Sequence, residues 1–93
     1  MLKTNEYFDG NVKSIAFNSG ALDSTVGVME PGEYTFATER NETMKVISGS
    51  LVVKLPGADD WQQFDAGSSF DIAANASFDL QVTVQTAYLC TYE

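Results

Sequence analysis

The chain predicts an all-β fold, a two-sheet jelly roll or small barrel, on three observations. Apolar and polar residues alternate with period two in segments rich in β-branched and aromatic residues, turn residues punctuate those segments, and no segment sustains a helical period. Ninety-three residues hold one hydrophobic core, so residues 1–93 read as a single domain. An immunoglobulin-like sandwich is the competing all-β answer. The Cys–Trp–Cys spacing that would support it is absent, because Cys90 is the single cysteine.

About nine strands follow in order. Asn11–Asn18 runs into the turn Asn18-Ser19-Gly20, and Thr25–Glu30 runs into Pro31-Gly32. Glu33–Thr38 comes next. Thr43–Ser48 sets Met44, Val46 and Ser48 on one face and ends at Ser48-Gly49. Ser50–Leu55 sets Leu51, Val53 and Leu55 on one side and ends at Pro56-Gly57. Trp61–Asp65 and Ser69–Ile72 flank Ala66-Gly67. Ser77–Val84 is the clearest strand, with Phe78, Leu80, Val82 and Val84 opposite Ser77, Asp79, Gln81 and Thr83. Ala87–Tyr92 closes the chain.

Charge narrows the function classes. Thirteen acidic and five basic residues give a net charge of -8. Lys3, Lys13, Arg40, Lys45 and Lys54 are scattered, so no basic surface exists for nucleic acid or an anionic membrane. No apolar run approaches a membrane span, and the N-terminus MLKTNEYFDG lacks the apolar core of a signal peptide. A single cysteine forms no internal disulfide, which fits a reducing, cytoplasmic setting.

The stretch Gly32 to Gly49, GEYTFATERNETMKVISG, has the spacing of a cupin metal motif without its ligands. Glu42 follows the Pro31-Gly32 turn, and Gly49 closes the run seven positions later. Where metal cupins place two imidazoles, this chain has Phe36 and Thr38. A second segment, Asp65 to Phe70, puts Phe70 at the third imidazole position, and the chain has no His at all. Glu42 alone is a poor ligand set, and Cys90 lies far from it along the chain, so neither a metal nor any other cofactor is expected.

The resemblance then becomes specific. The segments NEYFDGNVKSIAF (5–17), VGVMEPGEYTF (26–36), MKVISGSLVVKLP (44–56), the Asp60-Trp61 pair and FDLQV with YLCTY (78–92) resemble the small pyrimidine/purine nucleoside phosphorylases, collinearly over almost the whole chain. That resemblance implies a single-domain cupin-like jelly-roll barrel, usually a homodimer. It implies a reversible reaction in which a nucleoside and phosphate give free base and α-D-ribose 1-phosphate. The implied nucleosides are adenosine, guanosine, inosine, xanthosine, cytidine, uridine and thymidine. In the C-terminal Tyr-Leu-Cys-x-Tyr stretch this chain carries Thr91 where members of the family often carry Arg.

Phosphorolysis needs a held phosphate, a stabilised ribosyl cation and a neutralised leaving base, all of which positioning and electrostatics supply. Glu42 is the first candidate for the carboxylate, since parity places it with Met44 and Val46. The bland alternative is a solvated Glu pairing with Arg40 or Lys45, and Glu33 is a weaker candidate. Lys13, beside Ser14, and Arg40 are the candidates for phosphate, against the alternative of solubilising surface cations. Tyr34, Phe36 and Phe70 offer aromatic faces to the base, against simple core packing. Tyr88 and Tyr92 share a face of the last strand and can donate hydroxyls to sugar or phosphate. Tyr7 and Gln81 are further polar candidates. Cys90 shares that parity but lacks an adjacent base, so it reads as a buried thiol. Two other function classes remain: a non-catalytic small-molecule-binding cupin sensor, and a dimerisation module pairing through an exposed sheet edge.

Overall fold

A computed structural model describes all of residues 1–93 and contains ten strands and no helix. They are β1 (Lys3–Tyr7), β2 (Val12–Asn18), β3 (Asp23–Met29), β4 (Gly32–Ala37) and β5 (Glu42–Ser48). The second half holds β6 (Ser50–Lys54), β7 (Gln62–Asp65), β8 (Ser69–Ile72), β9 (Ser77–Val82) and β10 (Thr86–Tyr92). Every pairing is antiparallel. One sheet has six strands in the order β1-β2-β3-β10-β5-β8, and the other has four in the order β4-β9-β6-β7. This is the two-sheet jelly roll that the alternation predicts.

The main difference from the sequence reading is β1. It pairs only with β2, and every residue but Asn5 is exposed. Its inward side chains, Asn5 and Tyr7, border the open cavity rather than the packed core, so burial imposes no apolar alternation on it. Most strand ends differ by one or two residues, and two of these differences bear on the interior. β9 stops at Val82, leaving Val84 half exposed rather than inward, and β4 stops before Thr38. Thr38 is nevertheless buried. Its hydroxyl donates to the Ala73 carbonyl at 2.7 Å and accepts from the Ala76 N–H at 3.0 Å, pinning the loop into β5.

The core lies between the sheets. Val12, Met29 and Val46 from the large sheet meet Leu51, Val53 and Leu80 from the small one, all essentially inaccessible to water. Each such side chain contributes about 1.5–3 kcal/mol relative to exposure. The chain passes from the large sheet to the small one at Gly49, whose φ of +92° lies in the left-handed region. The buried Thr86 fills the corner: its hydroxyl accepts from Ser50 N–H at 3.2 Å and donates to the Val84 carbonyl at 2.9 Å. A Cβ at Gly49 would sit 2.5 Å from that hydroxyl, so this turn has no room for a side chain.

Apolar packing closes only part of the interior. On β3, β10 and β5 the inward row changes toward one end from Met29, Thr86 and Val46 to Thr25, Cys90, Tyr92 and Glu42. That polar end, where the β2–β3 turn and the β4–β5 loop gather, is left open.

Candidate functional site

The site is built on the last strand. Tyr88, Cys90 and Tyr92 alternate with Leu89 and Thr91, so all three face inward. Register sets Tyr88 opposite Gly27 of β3 and Tyr92 opposite Glu42 of β5. Gly27 is what gives Tyr88 its place: a Cβ there would lie 2.6 Å from the Tyr88 hydroxyl and 2.7 Å from the Lys13 carbonyl oxygen. Burial pushes the Tyr88 phenol up to about 12, with a hydrogen bond to Ser14 pulling the other way. Tyr92 is also raised by burial, and its hydroxyl lies 3.1 Å from Thr25 Oγ1. Both phenols therefore stay protonated at neutral pH and serve as hydrogen-bond donors.

These side chains open onto a cavity of about 670 Å³, within the range that holds small-molecule ligands. Glu42 lies in its wall, half-buried. Desolvation raises its carboxyl above the ordinary range, and a hydrogen bond from Cys90 partly offsets this. That bond runs from Cys90 Sγ to Glu42 Oε1 at 3.3 Å. Burial first, and then the Glu42 charge, push the Cys90 thiol up to about 12, so it is neither a thiolate nor a nucleophile.

The opposite wall is aromatic. Phe36 of β4 stacks on Phe78 of β9, with centroids 5.9 Å apart and planes 26° apart, and Tyr7 meets Phe36 edge-on at 6.1 Å. At the mouth, Arg40 Nη1 lies 3.0 Å from Asp23 Oδ2, and the guanidinium sits 5.7 Å from the Tyr92 ring centroid. Hydrogen bonds from Asn18 and then from Arg40 hold the exposed Asp23 carboxyl below the usual range.

The fold thus brings together Glu42, Tyr88, Tyr92, Phe36 and Arg40. The other candidates Lys13, Tyr34 and Phe70 lie elsewhere, as do Glu33 and Gln81. Lys13 is on the outward side of β2, because it alternates with the inward Ser14, and it pairs with Glu6 at 3.6 Å. Tyr34 is buried toward the other end of β4, its hydroxyl donating to the Glu30 carbonyl at 2.6 Å and its ring against Phe8. Phe70 is a core side chain packed on Phe64 and Phe78. Thr91 faces away from the cavity between the inward Cys90 and Tyr92, so the difference at position 91 leaves this wall unaltered. No three His, Cys, Asp or Glu side chains converge to hold a metal ion.

Several features of the site escape the sequence reading: the lining residues Thr25 and Asp23, Gly27 behind the Tyr88 ring, and the contact of Cys90 with Glu42. Strand parity signals the inward face of Cys90, but its neighbour depends on a pairing between residues 48 apart in the chain.

Comparison with known proteins agrees with this architecture. A family model described as pyrimidine/purine nucleoside phosphorylase matches residues 2–92. A pyrimidine/purine nucleoside phosphorylase of Magnetococcus marinus is 64% identical over 92 residues, covering 99% of each chain. The crystal structure of a protein of unknown function from Vibrio parahaemolyticus is 53% identical with a TM-score of 0.96, over 100% of this chain and 99% of that one. An RmlC-like cupin from Shewanella frigidimarina has a TM-score of 0.76 at 19% identity, covering 98% of this chain and 82% of its own, and it shares the cupin-like jelly roll alone. The match over nearly the full length, in sequence and in fold, places the chain: it belongs to the pyrimidine/purine nucleoside phosphorylase family.

Proposed function

We propose that the cavity is the active site of a broad-specificity, metal-independent nucleoside phosphorylase, converting a purine or pyrimidine nucleoside and phosphate reversibly to free base and α-D-ribose 1-phosphate. The observation that carries this reading is the convergence of a desolvated carboxylate, a guanidinium and two protonated phenols opposite an aromatic wall. Family membership supplies the reaction class.

Each group has a task in that reaction. Arg40, at the mouth, holds phosphate through its planar fork. The phosphate oxygen forms the new bond to the ribosyl carbon, while the pair of the C–N bond leaves with the base, which takes up the proton that hydrogen phosphate loses on becoming the ester. Positive charge grows on the ribose ring in between, and Glu42, in a site of low dielectric, stabilises it. Tyr88 and Tyr92 donate to ribose or phosphate oxygens. Phe36 and Phe78 receive the base by stacking, which tolerates every base and suits adenosine, guanosine, inosine, xanthosine, cytidine, uridine and thymidine alike.

Inosine and uridine, each incubated with chelator-treated protein with and without phosphate, test this. Base release from both, only with phosphate, is the expected result. A sensor would bind the nucleoside without consuming it, and loss of turnover on chelation with recovery on adding a divalent metal would overturn the metal-independent reading. Arg40→Ala should raise the KM for phosphate about tenfold or more, with a smaller effect on the KM for nucleoside, because a charge-assisted contact is lost. Phosphate saturation curves check this; an unchanged phosphate KM removes Arg40 from the role.

A homodimer in a reducing, cytoplasmic setting completes the proposal. The outer face of the large sheet favours the dimer: register aligns Ile15, Val26 and Leu89 across β2, β3 and β10, with Val28 half exposed beside them. An apolar stripe on a sheet face marks an interaction surface, and a second copy covers it by two-fold symmetry. Val28→Glu is expected to shift the protein from dimer to monomer in sedimentation velocity. A dimer that persists unchanged would place the interface elsewhere.

A further inference from the structure

The contact between Cys90 and Glu42 is unaccounted for by the roles above. Cys90 is 1% exposed, and among side chains it alone hydrogen-bonds the Glu42 carboxylate. Its own position is fixed by the central strand of the large sheet, where it lies opposite Thr25 on one side and Met44 on the other. A wholly buried polar hydrogen aimed at the wall carboxylate of a cavity is not needed for packing; Ala or Val would fill the same place in a strand.

We propose that Cys90 is a positioning residue, whose thiol donates to Glu42 Oε1 and so holds that carboxylate in one orientation against the cavity while favouring its ionised form. The inference rests on the phosphorylase reading for its consequence in catalysis, though the contact itself does not. A donor to a carboxylate stabilises the charged form, opposing the desolvation that favours the neutral one. A thiol suits this better than a cation would. It orients the carboxylate without neutralising the charge that the ribosyl cation meets in the transition state.

Other groups around Glu42 leave this assignment intact. From β10 it faces Tyr88, Cys90 and Tyr92; from the preceding loop come Glu39 and Arg40. Asp23 of β3 is engaged by Arg40 and Asn18, Asp71 of β8 accepts from Thr43 on the other side of β5, and Tyr7 of β1 lines the far wall. Arg40 is the one cation of this set, and its contacts are with Asp23, the Glu93 carbonyl and the Tyr92 ring.

The test compares Cys90→Ala and Cys90→Val, which remove the donor, with Cys90→Ser, which keeps one. Two measurements are made on folded protein: the pH profile of kcat/KM for phosphate-dependent base release, and the titration of the Glu42 side-chain carboxyl by carbon-13 NMR. Without the donor the folded-state titration of Glu42 moves to higher pH, so the acidic limb of the profile moves with it. At the acidic end kcat/KM should fall about fivefold more than on the neutral plateau, the loss of one hydrogen bond. Cys90→Ser should return both the limb and the titration toward those of the parent. An unmoved Glu42 titration in both Ala and Val variants overturns the proposal, as does a Ser variant that behaves like Ala. If the titration moves while the parent protein releases no base at any pH, Cys90 still positions Glu42 and it is the phosphorylase reading that fails.

Discussion

Replacing Glu42 with Gln is expected to lower kcat/KM for both inosine and uridine about 100-fold or more, the scale on which a preorganised electrostatic group acts on a developing charge. The same substitution should leave the fold at least as stable at neutral pH. The sign follows from burial. The folded-state carboxyl is raised above its unfolded value by desolvation, so folding favours the protonated form. The stability that proton gives is fully present below the unfolded pKa and is lost as pH rises through the folded one. A neutral Gln does not undergo that loss, so Glu42→Gln and the parent should converge in stability at low pH and diverge in favour of Gln above it. Steady-state kinetics and thermal melts across pH check both halves. Undiminished activity in this variant would take Glu42 out of the mechanism.

Gly27→Ala should be the most damaging single-methyl change near the site. The new Cβ would meet the Tyr88 hydroxyl at 2.6 Å and the Lys13 carbonyl oxygen at 2.7 Å. The phenol can swing aside, but the carbonyl belongs to β2 and its sheet pairing, so strand and ring must both move. Overpacking of this kind costs about 1–3 kcal/mol, and each kcal/mol lowers Tm by about 4–8 °C in a domain of this size. Activity should fall further than stability explains, because the displaced ring is a cavity wall. A melt and a kcat/KM both close to those of the parent would show that Gly27 does not shape the site.

Much of the architecture was legible because burial imposes alternation. Phe78, Leu80 and Val82 read as one face of β9 and are buried as one face. Glu42 reads with Met44 and Val46, and Tyr88 with Tyr92, for the same reason. β1 was illegible because its inner face borders the open cavity rather than the core, so no apolar alternation marks it. Aromatic residues were ambiguous in another way. Phe36 lines the cavity and Phe70 fills the core, and residue type alone does not separate the two, since both tasks call for a large apolar ring. Tyr34 shares the inward face of β4 with Phe36 but sits nearer its start, beyond the cavity. The contacts that define the site were the least accessible. Thr25 meets Tyr92 across 67 residues of chain and Cys90 meets Glu42 across 48, and both depend on how β10 inserts between β3 and β5. A single sequence specifies which face a residue takes; the strand beside it is set by long-range pairing.

The measurement that tests the central claim most directly is phosphorus NMR of the chelator-treated protein with inorganic phosphate and a mixture of uridine and inosine. The account predicts that a ribose 1-phosphate signal grows at the expense of phosphate, in step with the loss of both nucleosides. Intact nucleosides in the presence of folded protein, or free ribose released without consumption of phosphate, would contradict it.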